Sequence, residues 1–108
     1  MLFVVRHHHA LETCPAADPD TGAWLLSYLS ATNAARYGVT IHAEALTELH
    51  TLTLILEAAD QTQVGRFMAP LGAQGTIEVV PAFSCEAAVA RGGCSVTEIE
   101  VAGREGQA

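Results

Sequence analysis

The sequence predicts an α+β fold, a four-stranded antiparallel sheet with two helices on one face. Four short segments are rich in β-branched and apolar residues, as β-strands are. Two further segments carry apolar residues at helical spacing, and each begins after an aspartate suited to capping a helix. These segments follow one another in the order β-α-β-β-α-β. A chain of 108 residues, half of them hydrophobic, is long enough to form one domain with its own core.

The first strand and the first helix are predicted near the N-terminus. The segment "LFVVRHHH" (2–9) is rich in β-branched and aromatic residues and predicts a strand. A helix should begin after Asp18 as N-cap, with Pro19 at its first position, and should end before Gly38. Its apolar stripe is formed by residues at helical spacing, namely Leu25, Tyr28, Leu29 and Thr32.

Two strands follow and form a hairpin. Residues 39–46 alternate, so that Val39, Ile41, Ala43 and Ala45 should lie on one face of the sheet. The short connection "ELH" leads into residues 51–58, where leucines again occupy every second position. Both segments therefore predict half-buried strands.

The second helix and the last strand complete the pattern. Asp60 and Gln63 have the spacing of a capping box, and Pro70 should end or kink the helix near Ala69. A fourth strand is predicted over 76–83, and "SCEAAVARGG" predicts a short helix stopped by Gly92. The apolar face of the second helix is set by residues spaced i, i+3, i+4 and i+7, namely Val64, Phe67, Met68 and Leu71.

This order is that of a ferredoxin-like domain, with strand order 4-1-3-2. We predict that the domain covers residues 1–91 and that residues 92–108 form a C-terminal extension, with a possible extra strand and a frayed tail. Two helices cover only one face of a four-stranded sheet. An apolar second face needs a cover, so we predict a homodimer with the sheets face to face.

Two stretches, "RHHHALETCP" and "FMAPLGAQGTIEVVPAF", together with the length and element order, resemble the small dimeric α+β-barrel families. The similarity covers roughly residues 1–90. It implies the dimeric barrel architecture. Many members of these families have no assigned activity, and others are cofactor-free oxygenases, isomerases, haem enzymes or nickel-binding proteins, so the resemblance implies a scaffold and not one chemistry.

Charge and composition narrow the classes of function. Twelve acidic and five basic residues give a net charge of −7, which disfavours a nucleic-acid partner because phosphate binding needs clustered Lys and Arg. No apolar run is long enough to span a bilayer, so we expect no membrane partner. Three cysteines without a CxxC pair argue against a disulfide framework. We therefore expect a cytoplasmic protein.

The three consecutive histidines suggest a metal site. Alternation places His7 and His9 on the same face of the first strand, about 7 Å apart along it. In the predicted topology the loop with Cys14 and the turn with His50 lie at the same end of the sheet. We therefore predict that His7, His9, Cys14 and His50 bind a transition metal ion. Imidazoles combined with a thiolate suit zinc, copper or nickel.

Two further residues are candidate ligand-binding groups. His42 and Glu44 lie on the second strand and could line the same cavity without contacting the ion. An alternative function is a metal-free enzyme of the oxygenase or isomerase type, in which the same histidines act as general bases in the barrel cleft. A third interpretation is a plain interaction or structural domain, in which the strand end is polar and its imidazoles face solvent or the dimer cleft.

Overall fold

The structure, a computed structural model, describes residues 1–94. Its sheet is antiparallel with the order β2-β3-β1-β4, so the predicted α+β class and the strand order 4-1-3-2 are confirmed. The strands are β1 (Leu2–His9), β2 (Thr40–Leu46), β3 (Thr51–Glu57) and β4 (Gly75–Ala82). The helices are α1 (Pro19–Tyr28), α2 (Ala31–Arg36), α3 (Gln61–Met68) and α4 (Cys85–Arg91), and 3-10 turns occur at Leu11–Thr13, Pro15–Ala17 and Ala69–Gln74.

The helix predicted between Asp18 and Gly38 is two helices, which corrects the prediction. α1 ends at Tyr28, and Ser30 then caps α2 by accepting a hydrogen bond from the Asn33 backbone N–H at 3.3 Å. The Asn33 side chain in turn donates to the Tyr28 carbonyl oxygen at 2.8 Å, which satisfies a group at the end of α1. Asn33 therefore bonds to both sides of the break and stabilises it.

The second helix region follows the sequence pattern closely. Asp60 accepts a hydrogen bond from the Gln63 N–H, and the Gln63 side chain accepts one from the Ala59 N–H, which confirms the caps of α3. The helix ends at Met68 and continues as a 3-10 turn that contains Pro70. All four residues predicted for its apolar face are buried, namely Val64, Phe67, Met68 and Leu71.

One face of the sheet carries the core. Phe3 and Val5 of β1 are fully buried, as are Leu54 and Leu56 of β3, and they pack against side chains from α1, α2 and α3. Burial of such side chains contributes about 1.5–3 kcal/mol each. The β1 alternation continues through His7 and His9, so both imidazoles lie on this helix-covered face.

Strand β2 departs from the predicted alternation. Ile41 pairs with Leu56, but a bulge then brings Ala43 opposite Ile55, so that Ile41 and Ala43 no longer share a face. The strand lies at the edge of the sheet and is mostly exposed. The prediction of one continuous half-buried face for β2 was wrong.

The C-terminal region is described as far as residue 94. α4 ends before Gly92, whose left-handed backbone (φ 88°) suits the predicted stop. The extra strand and frayed tail predicted within residues 92–108 lie largely outside the described residues. No helix within residues 1–94 combines the length and the apolar composition needed to cross a bilayer.

Candidate metal centre

Three side chains from three separate segments meet at one end of the sheet. His9 ends β1, Cys14 lies between two 3-10 turns, and His50 lies in the turn between β2 and β3. One ligand atom from each residue lies within 4.8 Å of the others. Three of the four predicted metal ligands are therefore brought together.

Backbone hydrogen bonds hold the three segments in place. The His9 N–H donates to the His50 carbonyl oxygen at 3.1 Å, which ties the end of β1 to the hairpin turn. The Thr13 hydroxyl donates to the Gln74 carbonyl oxygen at 3.0 Å, which ties the loop before Cys14 to the start of β4. The site is thus built on the fold and not on a free loop.

His50 owes its position to an unusual backbone conformation. Its φ is 56°, in the left-handed region that few residues other than glycine adopt. The turn is closed by hydrogen bonds from the His50 N–H to the Thr47 carbonyl oxygen and from the Thr47 N–H to the Thr51 carbonyl oxygen. In this conformation the His50 ring lies 5.2 Å from the His9 ring, centroid to centroid.

The His9 ring is buried without a hydrogen-bond partner among the described residues. The side chain is 2% exposed, and neither ring nitrogen has a partner within the described residues. A buried polar group without a hydrogen bond lowers the free energy of unfolding by about 1–3 kcal/mol. Burial lowers the pKa of His9, and positive charge on His7, His50 and His8 would lower it further. The ring is therefore neutral at pH 7 and has a lone pair available for a metal ion.

His7 lies beside the three donors and is held by the backbone. Its Nε2 is 2.9 Å from the Leu71 carbonyl oxygen, which can only accept, so Nε2 carries the hydrogen. In the neutral ring Nδ1 then has a free lone pair, and this buried atom has no partner within residues 1–94. The His7 and His9 ring centroids are 5.4 Å apart. The carbonyl of Leu71 is a backbone group, and no residue pattern indicated this contact.

His42 and Glu44 lie elsewhere. The His42 Nε2 is 2.8 Å from a carboxylate oxygen of Glu57, and both side chains are about half exposed. Glu44 is exposed on the edge strand, opposite Leu54 in the register. Neither belongs to the group of three donors. The interpretation of the histidines as a solvent-facing strand end is also excluded for His7 and His9, which are 1% and 2% exposed.

The donor set defines what the arrangement can do. Two imidazoles and a thiolate are ligands for zinc, copper and nickel, and calcium and magnesium prefer oxygen. Three protein ligands leave one position of a tetrahedral ion for water or a small molecule.

No protein-family model matches the chain, and no curated protein matches it. The resemblance to the dimeric α+β-barrel families is thus supported by the α+β sheet alone.

Proposed function

We propose that this protein binds one transition metal ion, zinc, copper or nickel, through His9, Cys14 and His50. The observation that carries the proposal is the buried His9 ring. Its two nitrogens have no hydrogen-bond partner among residues 1–94, while a thiol and a second imidazole lie within reach. A metal ion would satisfy one nitrogen of His9 and offset its desolvation. A purely structural residue at this position would be apolar, like Phe3 and Val5 on the same strand.

His7 supports the ion without binding it in this proposal. Ligating histidines usually direct their second ring nitrogen to a hydrogen-bond acceptor. The free Nδ1 of His7 is such an acceptor, because its other nitrogen donates to Leu71. The two rings are not hydrogen-bonded to each other in the structure. A hydrogen bond formed between them on metal binding would complete a chain from the Leu71 carbonyl through His7 to His9 and would fix the tautomer and the orientation of the His9 ring. This assigns His7 a positioning role in place of the ligand role expected from sequence.

The direct test is metal analysis of protein purified without a tag. We expect about one zinc, copper or nickel ion per chain. After chelator treatment, adding the ion at 100 times its Kd should stabilise the fold by about 2.7 kcal/mol at pH 7.5. The shift should shrink at pH 5, because protons compete for imidazole and thiolate ligands. A melting temperature indifferent to all three ions at pH 7.5 would remove the metal function.

We also propose that a second copy covers the face of the sheet opposite the helices. Ile55 and Val80 of this face are 39% and 43% exposed, and Val4 lies between them in the register. The nearby Arg6–Glu78 ion pair offers charges of both signs to an identical surface. His7 and His9 lie on the other face, so the metal site would be complete within one chain.

The dimer predicts a defined mass in solution. Light scattering at micromolar concentration should give twice the mass of the chain, and Ile55→Glu should give the monomer because it buries a charge at the centre of the contact. The variant should still bind metal. A monomeric wild-type protein at these concentrations would disprove the dimer and leave the metal site untouched.

A cytoplasmic location is part of the proposal. Cys14, Cys85 and Cys94 are all free, as expected in a reducing compartment.

A further inference from the structure

A cavity that shares no residue with the metal centre lies between the end of α2 and the helix α3. Its volume is about 340 Å³, enough for a small molecule. The lining has no acidic residue and consists of Arg36, Tyr37, Gly38, Gln63 and Arg66.

Within the part of the chain that the structure describes, the two arginines at this cavity have no carboxylate partner. Within residues 1–94, neither Arg36 nor Arg66 forms an ion pair or a side-chain hydrogen bond. The other arginines of this region are engaged, since Arg6 pairs with Glu78 and Arg91 stacks on Phe83. In a chain with a net charge of −7, two guanidinium groups at one cavity that pair with no carboxylate of residues 1–94 are a local exception.

Helix dipoles explain only part of this arrangement. Arg36 and Arg66 each lie in the last turn of a helix, where a cation is favourable. That effect acts on each helix separately and does not require the two side chains to line the same cavity. Both side chains are exposed, so water and salt screen their mutual repulsion, and an anion bound between them would reduce it further.

Gln63 adds a neutral donor with a fixed orientation. Its Oε1 accepts a hydrogen bond from the Ala59 N–H at 2.8 Å, so its amide nitrogen points away from that contact. The nitrogen lies against Gly38, where a Cβ atom would collide with it. Gly38 has φ 73°, a left-handed conformation that also favours glycine. The cavity therefore combines two guanidinium groups with an amide donor.

We propose that this cavity binds a small molecule through a phosphate group. Guanidinium groups bind phosphate oxygens through paired hydrogen bonds, and the amide can donate a further one. The volume exceeds that of phosphate itself, which leaves room for the rest of a small ligand. The negative charge of the whole protein disfavours a nucleic acid as the source of the phosphate.

The test is a titration of chelator-stripped protein with inorganic phosphate at low salt, followed by NMR of the backbone and arginine side chains. We expect saturable shifts centred on Gly38 and Gln63, with a Kd on the order of millimolar because so small a ligand makes few contacts. Arg36→Gln and Arg66→Gln should each weaken binding about tenfold. Arg91→Gln, which removes the same charge from α4, should leave binding unchanged.

Each other result overturns the proposal. Shifts spread over the surface and reduced equally by Arg91→Gln would indicate general charge attraction. Absence of saturable shifts would also count against the site, as would binding of succinate in preference to phosphate, which would make the cavity a carboxylate site. Circular dichroism on the variants checks the fold, which should hold because both arginine side chains are exposed. Metal stripping keeps the outcome independent of the proposed metal function.

Discussion

Cobalt added to the chelator-stripped protein should produce a thiolate-to-metal charge-transfer band that Cys14→Ser removes. The band reports a sulfur–metal bond directly, and Cys14 is the one cysteine of the described region that lies with two imidazoles. Loss of the thiolate should lower zinc affinity by at least about 100-fold, since even partners outside the ligand shell change affinity 10–100-fold. His50→Ala should have a similar effect on affinity while keeping the charge-transfer band at saturating cobalt.

The chain provides a matched control for each variant. Cys85 is a free, exposed cysteine on α4, so Cys85→Ser changes the same atom at a position outside the site. His42 is an exposed histidine paired with Glu57, so His42→Ala removes an imidazole without touching the three donors. Both control variants should bind zinc as the wild type does. If Cys85→Ser abolishes the band and Cys14→Ser does not, the ligand set proposed here is wrong.

Local patterns predicted the elements well, because capping and periodicity are encoded within a few residues. Asp60 and Gln63 set the start of α3, and Pro70 set its end, as the structure confirms. The break between α1 and α2 was missed although Ser30 and Asn33 are suited to it. The helical spacing from Leu25 to Thr32 continues across the break, so periodicity favoured one helix over two in spite of the capping serine.

The candidate site was only partly readable from the sequence. Alternation put His7 and His9 on one face with Phe3 and Val5, as the structure confirms, and a polar strand end stayed open as the alternative to a metal site. Which of them reaches Cys14 and His50 depends on the hairpin turn and on the Leu71 carbonyl. These are backbone features that residue types do not predict.

Features that join distant segments were the least predictable. Arg36 and Arg66 are thirty positions apart on different helices and line one cavity only because the fold brings the end of α2 close to α3. The bulge in β2 lies at Ile41–Ala43, without a glycine or a proline to mark it. The bulge places Ile41 and Ala43 on different faces. An edge strand tolerates such a change of register because it pairs with a neighbour on one side only.

His9→Leu should stabilise the metal-free protein and abolish metal binding. Leucine is close to histidine in volume and has no polar atoms, so the variant removes two buried nitrogens that lack partners. We expect the free energy of unfolding of the metal-free protein to rise by about 1–3 kcal/mol. A buried residue that lowers stability is expected where the function of the protein requires that residue.

The matched control is His8→Leu, one position away on the opposite face of β1. His8 is exposed and lies 3.1 Å from the Thr51 hydroxyl, so its replacement should change stability little and leave metal binding intact. Urea unfolding with chelator present gives the stabilities, and zinc titration gives the binding. If His9→Leu destabilises the metal-free protein, the buried ring is a structural element and not a reserved ligand.

The pH dependence of stability in the wild type and in His9→Leu gives a second test, and its direction can be predicted. Burial lowers the pKa of His9 in the folded state, while in the unfolded chain the ring titrates near its ordinary value of about 6.5. As the pH decreases below that value, the unfolded state binds a proton that the folded state does not yet bind. The free energy of unfolding of the wild type therefore decreases as the pH decreases, until the pH reaches the pKa of the folded state. His9→Leu lacks this contribution. Its stability advantage over the wild type, measured without metal, should therefore widen from pH 7.5 to pH 5, and a constant difference would contradict the buried neutral state of His9.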